Sequence, residues 1–225
     1  MRSSMHRLPW IGVLRARTLA AAVVVALGAA AAPVAAQTGG EAAKASDVLR
    51  FTVAPEGNEA RYRVREQLAR LNFPNDAVGA TSQIEGGITV RPDGTVVREE
   101  SRFVIDLASL RTDSERRDNY VRRRTLETET YPTAVFVPTE LRGLSFPLPT
   151  SGESTFEIVG DLTIRGVTRP TTWEVTARFE EGAVSGLAKT QFTFDDFQIE
   201  KPRVASVLSV ADEIRLEYEF RLLAR

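Results

Sequence analysis

Two adjacent carboxylate pairs, Asp195-Asp196 and Glu99-Glu100, are the first candidates for chemistry in this chain. Paired acids act as general acid and base only when both reach one reacting centre. Neighbouring residues of an extended strand point to opposite faces, so neither pair converges on a substrate atom. Asp195-Asp196, just ahead of Phe197, reads instead as a turn-forming pair. A Ser-His-Asp triad is excluded beyond the first residues, because the single histidine is His6. Ser, Thr and Tyr hydroxyls are plentiful, yet none stands in a Gly-x-Ser-x-Gly context. There is no Cys, so disulfides, thiol nucleophiles and thiolate metal sites are excluded. Only oxygen ligands remain, which suit Ca²⁺ or Mg²⁺, and no acidic loop has the spacing of a calcium site. The sequence therefore predicts no catalytic residue, no metal site and no cofactor. A carboxylate-based hydrolase is the enzyme alternative, and the missing His and the facing of the Asp pair count against it.

The 225-residue chain is 43% hydrophobic and 26% charged, an ordinary globular composition. Its unusual residues collect at the start. Arg2, His6, Arg7, Arg15 and Arg17 form a basic stretch with no acid, Leu19 to Ala32 is unbroken apolar, and Val34-Ala35-Ala36 precedes Gln37. That is the three-part pattern of a secretory signal peptide over 1–36, too short and Ala-rich for a comfortable membrane span. No adjacent Arg pair marks twin-arginine export, and no Cys is there to carry a lipid. Setting aside the four arginines of that segment leaves 25 basic against 30 acidic side chains, a charge of −5. A negative chain without a basic cluster argues against nucleic acid as partner. The segment 37–46 is Gly/Ala-rich and reads as a flexible leader.

From Asp47 onward the texture is alternation. Ile214, Leu216, Tyr218 and Phe220 fall on one face against Arg215, Glu217, Glu219 and Arg221. Trp173, Val175, Ala177 and Phe179 oppose Glu174, Thr176 and Arg178, and Phe156, Ile158, Leu162 and Ile164 oppose Glu157, Asp161 and Thr163. Phe103, Ile105 and Leu107 oppose Arg102 and Asp106, and Tyr62, Val64 and Leu68 oppose Arg61, Arg63, Arg65 and Gln67. Such period-2 patterns are half-buried antiparallel strands. Further strands are expected at 48–53, 82–90, 95–107, 134–141 and 184–194, with a tight hairpin at Gly166 and a bulge or bend at Gly86-Gly87. One helix interrupts them over Thr112 to Leu126, with Thr112 and Glu115 spaced as a capping box. Arg117-Asp118 would pin this helix to a rim, and Arg122-Arg123-Arg124 reads as its solvated end, too few charges to anchor on lipid. Eight or nine such strands must close or fold over, and one apolar face with one charged face favours a closed barrel. A two-sheet sandwich is the alternative. The inward stripe either fills a core or walls a ligand tunnel, and an eight-stranded barrel supports both.

Gly160-Asp161-Leu162-Thr163-Ile164-Arg165-Gly166-Val167-Thr168 resembles the signature hairpin of the YceI-like family of lipid-binding proteins. Arg117-Asp118, Tyr131-Pro132-Thr133-Ala134-Val135-Phe136 and Asp195-Asp196-Phe197-Gln198-Ile199 resemble further family segments in the same order. The resemblance runs from about Val48 to Leu222. It implies an all-β, lipocalin-like antiparallel barrel over 47–225, exported to the periplasm, holding a polyisoprenoid such as an isoprenoid quinone for transport or storage. It implies no catalytic site. The ligand wall would be Tyr62, Val64, Phe103, Ile105, Phe136, Phe156, Ile158, Leu162, Trp173, Val175, Phe179, Phe192, Phe194, Ile214, Leu216 and Tyr218. The expected partner is a polyisoprenoid or other long apolar lipid, with no nucleic acid, no stable membrane insertion, and a homodimer left open. A structural or adaptor protein of the envelope with a filled barrel is the alternative. In one respect the chain departs from the family. Many members carry a Ser-x-Val-x-Phe-x-Val-x-His run in the second strand, whereas residues 60–68 here contain no His.

Two expected outcomes follow from the sequence. N-terminal sequencing of the exported protein should begin at Gln37, and a full-length chain in the membrane fraction would refute the cleavage. Thermal melting should be indifferent to EDTA, and a large fall in Tm on chelation would reveal a metal that these residues do not predict.

Overall fold

The computed structural model describes residues 48–225. The expected signal segment and leader lie outside the described residues. Ten strands follow in the order β1 (Leu49–Val53), β2 (Glu59–Leu68), β3 (Asn75–Thr81), β4 (Ile84–Val90), β5 (Arg102–Asp106), β6 (Thr133–Arg142), β7 (Gly152–Ile164), β8 (Val167–Glu180), β9 (Ala183–Thr193) and β10 (Val207–Ala224). All pairings are antiparallel, and the spatial order is β1-β4-β5-β6-β7-β8-β9-β10-β2-β3.

The sheet closes on itself because β1 pairs with β10 as well as with β4, through Phe51 opposite Ala224 and Val53 opposite Leu222. β1 and β2 are two parts of one stave, broken at 54–58, and β3 and β4 are two parts of the next, broken at Ser82-Gln83. The result is an eight-staved, up-and-down barrel closed through β1 and β10, in which the outer edge of β3 makes only the Ala80–Arg111 bridge. Asn58 holds the first break. Its buried amide donates to the Ala54 carbonyl at 2.9 Å, and its Oδ1 accepts from the Arg221 amide of β10 at 3.0 Å.

The facing read from alternation holds along the long strands. In β8, Val175, Ala177 and Phe179 are buried while Glu174, Thr176 and Arg178 are exposed. On the outside, charges pair across strands, as in Arg63 Nε to Glu217 at 3.0 Å and Arg215 Nη2 to Asp76 at 2.9 Å. Such exposed pairs contribute little each, but they keep the outer face wet.

Two expectations need correction. The stretch 95–107 is not one strand. Ser101 Oγ donates to the Val97 carbonyl at 2.8 Å and accepts from the Thr89 amide at 3.0 Å, folding Arg98–Glu100 into a single turn before β5. The helix α1 spans only Glu115–Tyr120 and runs into a wider π-type turn, Val121–Thr125. Its cap is Ser114, which accepts from the Arg117 amide, and Thr112 instead donates its hydroxyl to Asp118 at 2.7 Å. The turn expected at Asp195-Asp196 is present as a 3₁₀ turn, where Asp196 accepts from the amide and hydroxyl of Thr193 at 2.7 and 2.8 Å. Those bonds hold the Asp196 carboxyl below the usual range.

Gly86 shows what closure demands of the backbone. Its φ is 107°, and a Cβ there would run into the Arg102 carbonyl oxygen of β5. Gly86→Ala should therefore lower stability by about 2–3 kcal/mol, read as a fall in Tm of roughly 5–10 °C. A variant that melts with the parent would show that the bend can relax.

Candidate functional site

Connections of an up-and-down barrel alternate between its two ends. The β2–β3 loop (69–74), the helical segment (107–132), the β7–β8 turn (165–166) and the β9–β10 loop (194–206) share the helical end. The loops 91–101, 143–151 and 181–182 share the other. Between the ends runs a cavity of about 920 Å³. That is near the top of the range of roughly 300–1,000 Å³ for small-molecule sites. Ala69, Arg116, Arg117 and Ser206 border it at the helical end, and Leu144 and Leu148 at the opposite end.

Fifteen of the sixteen wall residues expected from the sequence line this cavity, from Tyr62 and Val64 of β2 through Trp173 and Phe179 of β8 to Ile214, Leu216 and Tyr218 of β10. Phe103, Ile105, Phe136, Phe156, Ile158, Leu162, Phe192 and Phe194 complete that set. Val175 is the exception. It is fully buried, and its cross-strand partners Phe156 and Ala188 form the wall in its place. The wall rings are locked edge-on: Phe103 against Tyr218 at 6.2 Å and Phe136 against Trp173 at 5.8 Å. Edge-to-face contacts of this kind fix ring orientation, and the Phe103–Tyr218 pair does so across the interior, since β5 and β10 are not neighbouring staves.

A few polar groups interrupt the apolar wall. Tyr218 donates its hydroxyl to Asn58 Oδ1 at 2.9 Å, and burial pushes its pKa up. Tyr62 lies across Gly79 of β3, where any Cβ would strike the ring. Burial pushes its hydroxyl up to about 12, against a smaller downward pull from Arg117. Among the described residues the Tyr62 hydroxyl, the Trp173 Nε1 and the Thr125 hydroxyl have no hydrogen-bond partner, although all three residues line the cavity. A buried donor left unpaired is costly, about 1–3 kcal/mol, so each is a ready contact for a ligand's polar atoms.

One inward residue escaped the sequence reading. Glu66 shares the inward parity of Tyr62, Val64 and Leu68, lines the cavity and is buried. Arg117 Nη2 of α1 reaches it at 2.7 Å, and Arg117 also pairs with Asp113. Breaking one side of so enclosed a pair would strand the other charge, which makes it a clasp between helix and barrel. The expectation that Arg117-Asp118 pins the helix is met here: Arg117 holds β2, and Asp118 is buried and accepts from the Thr112 amide at 2.8 Å. The signal was present in the alternation, since an acid at an inward position needs a partner. Among the described residues no cluster of metal-ligating side chains occurs, and no helix is long and apolar enough to cross a membrane.

Residues 51–222 match the model of the YceI-like domain. A UPF0312 protein of Pseudomonas putida strain W619 is 33% identical over 117 residues, 48% of this chain, and one of strain GB-1 is likewise 33% identical. The chain spans 57% of the length of these relatives. Among solved structures, a polyisoprenoid-binding domain from Saccharophagus degradans superposes with a TM-score of 0.58 at 14% identity, covering 79% of this chain and 98% of that one. BcnA of Burkholderia cenocepacia gives 0.53 at 19% identity, covering 75% and 96%. A YceI protein of Campylobacter jejuni gives 0.51 at 17% identity, covering 69% and 88%. At these identities the structures speak for the fold, and the matched span carries the rest: this chain belongs to the YceI-like domain family.

Proposed function

We propose that this chain is a lipid-binding protein, exported to the periplasm, that holds a polyisoprenoid such as an isoprenoid quinone in its barrel for transport or storage. The observation that carries the reading is the cavity of about 920 Å³ walled by aromatic and aliphatic side chains along the barrel. The Saccharophagus degradans domain of the same fold, described as polyisoprenoid-binding, supports the choice of ligand class. The mechanism is solvation. Apolar walls replace water around the chain, contributing about 25 cal/mol per Å² of apolar area buried. Tyr62, Thr125 and Trp173 offer the few polar contacts that would orient a head group. No step of bond making is involved, so the reading is of a binder rather than an enzyme. A filled-barrel envelope adaptor is disfavoured by the open lumen.

Organic extraction of the purified protein followed by mass spectrometry should release a long isoprenoid lipid near one per chain. The Trp173 emission should be blue-shifted and quenched saturably by a long-chain quinone, and a saturated isoprenoid without the ring should compete without quenching. Trp173→Phe should keep the extractable lipid, because the wall retains an apolar ring. A protein without extractable lipid and without a saturable response to any isoprenoid would refute the reading.

A further inference from the structure

The rim of the helical end carries apolar side chains that no core claims. Phe73 of the β2–β3 loop is 80% exposed, Leu208 at the start of β10 is 68% exposed, and Leu71 is 42% exposed. They sit on adjoining pieces of chain. Val207 pairs with Leu68, and the Ala69 amide donates to the Ser206 carbonyl at 3.0 Å. None of the three lines the cavity, whereas their neighbours Leu68, Ala69, Arg70 and Val207 do. The apolar rim therefore borders the mouth from outside. Large exposed apolar groups set together mark a surface meant to be covered.

Charge says by what. Arg70, Arg116, Arg123, Arg124 and Arg203 are exposed at this end. Among the described residues none of them has a carboxylate within 4.0 Å. At the helical end the exposed carboxylates without a cationic partner are Glu115, Glu129, Asp195, Asp196 and Glu200, of which only Glu115 and Glu200 lie in the segments 69–76, 113–126 and 200–208 beside the apolar tips; Asp76 and Asp113 are paired with arginines. A chain that is acidic beyond residue 36 thus sets five unpaired arginines against two unpaired carboxylates in the segments beside its apolar tips, making that part of the rim cationic. We infer that this rim docks the cavity mouth onto an anionic bilayer surface, with Phe73, Leu71 and Leu208 entering the interface and the arginines meeting lipid phosphates. Apolar tips and nearby Arg side chains act together where charges alone are too few. The contact is peripheral and reversible, and it spares an apolar ligand the passage through water. Its purpose rests on the lipid-binding reading, although its geometry does not.

The chain contains no Cys, so Phe73→Cys and, at the opposite end, Glu181→Cys each accept one polarity-sensitive fluorophore. With vesicles of phosphatidylcholine and phosphatidylglycerol, the label at 73 should shift to the blue and be quenched by a bilayer-embedded quencher, and the label at 181 should not respond. Vesicle binding should fall about fivefold for each of Arg70→Gln and Arg203→Gln. It should fall tenfold or more for Phe73→Ser with Leu208→Ser, while extractable lipid in that double variant stays unchanged. A label at 73 that ignores vesicles, or a label at 181 that responds equally, overturns the inference even if lipid is extracted. A label at 73 already shielded without vesicles also overturns it, because a second copy or the chain's own N-terminal segment would then cover the rim. Insertion of the label in a protein without any extractable lipid would leave docking standing and remove the ligand reading instead.

Discussion

The whole arrangement depends on one strand having two partners along the same edge. β10 runs 18 residues, and its full length is needed. One edge pairs with β9, and the other pairs first with β2 and then, past Arg221, with β1. That closes the ring and leaves only short stretches of edge, such as the outer side of β3, to protect. It also fixes the interior volume before any side chain is placed. Eight staves enclose a lumen that side chains can fill or leave open, and here the inward residues are arranged around the perimeter. Phe136 leans on Trp173 over the intervening β7, and Phe103 of β5 meets Tyr218 of β10 across the barrel, so this ring pair narrows the lumen without filling it.

The two ends then take different roles. At the far end the 143–151 loop brings Leu144 and Leu148 to the cavity. The helical end is fastened on two sides. Arg117 joins α1 to Glu66 of β2, and Arg165 joins the β7–β8 turn to Glu127 and, at 2.9 Å, to the Gln198 carbonyl. Between those fastenings lie Ala69, Arg70 and the 202–207 segment, the chain that borders the mouth. Ion pairs so sheltered add little net stability but hold geometry. These fastenings hold α1 and the β7–β8 turn in place around the loops that border the cavity.

How much of this could be read from the sequence follows from local physics. The faces of β8 and β10 were legible because one face must be dry and the other wet, so alternation reports facing directly. The same rule brought fifteen wall residues to the cavity and failed only for Val175, which is inward but sealed behind its neighbours. β3 was illegible because NDAVGAT has weak strand propensity, and it is a strand only because β2 pairs with it from Ala60 to Glu66. The strand expected over 95–107 was broken by a side-chain hydrogen bond from Ser101, which periodicity does not see. Glu66 was overlooked because its partner Arg117 lies 51 residues away. The size of the lumen depends on closure and on the loops at both ends, so no strand pattern could state it.

The central claim is that the lumen is space for a ligand and not a loosely described core. Ala188 is buried in the wall, opposite Val175 and Tyr218, and borders the cavity. Ala188→Phe projects a ring into that space, so melting of the delipidated protein together with the lipid recovered on extraction tests the claim directly. If the lumen is room for a ligand, the ring is accommodated, Tm holds or rises, and extractable lipid is lost. If the interior is a packed core, the ring has nowhere to go, and stability falls by the roughly 1–3 kcal/mol typical of overpacking with lipid content unchanged.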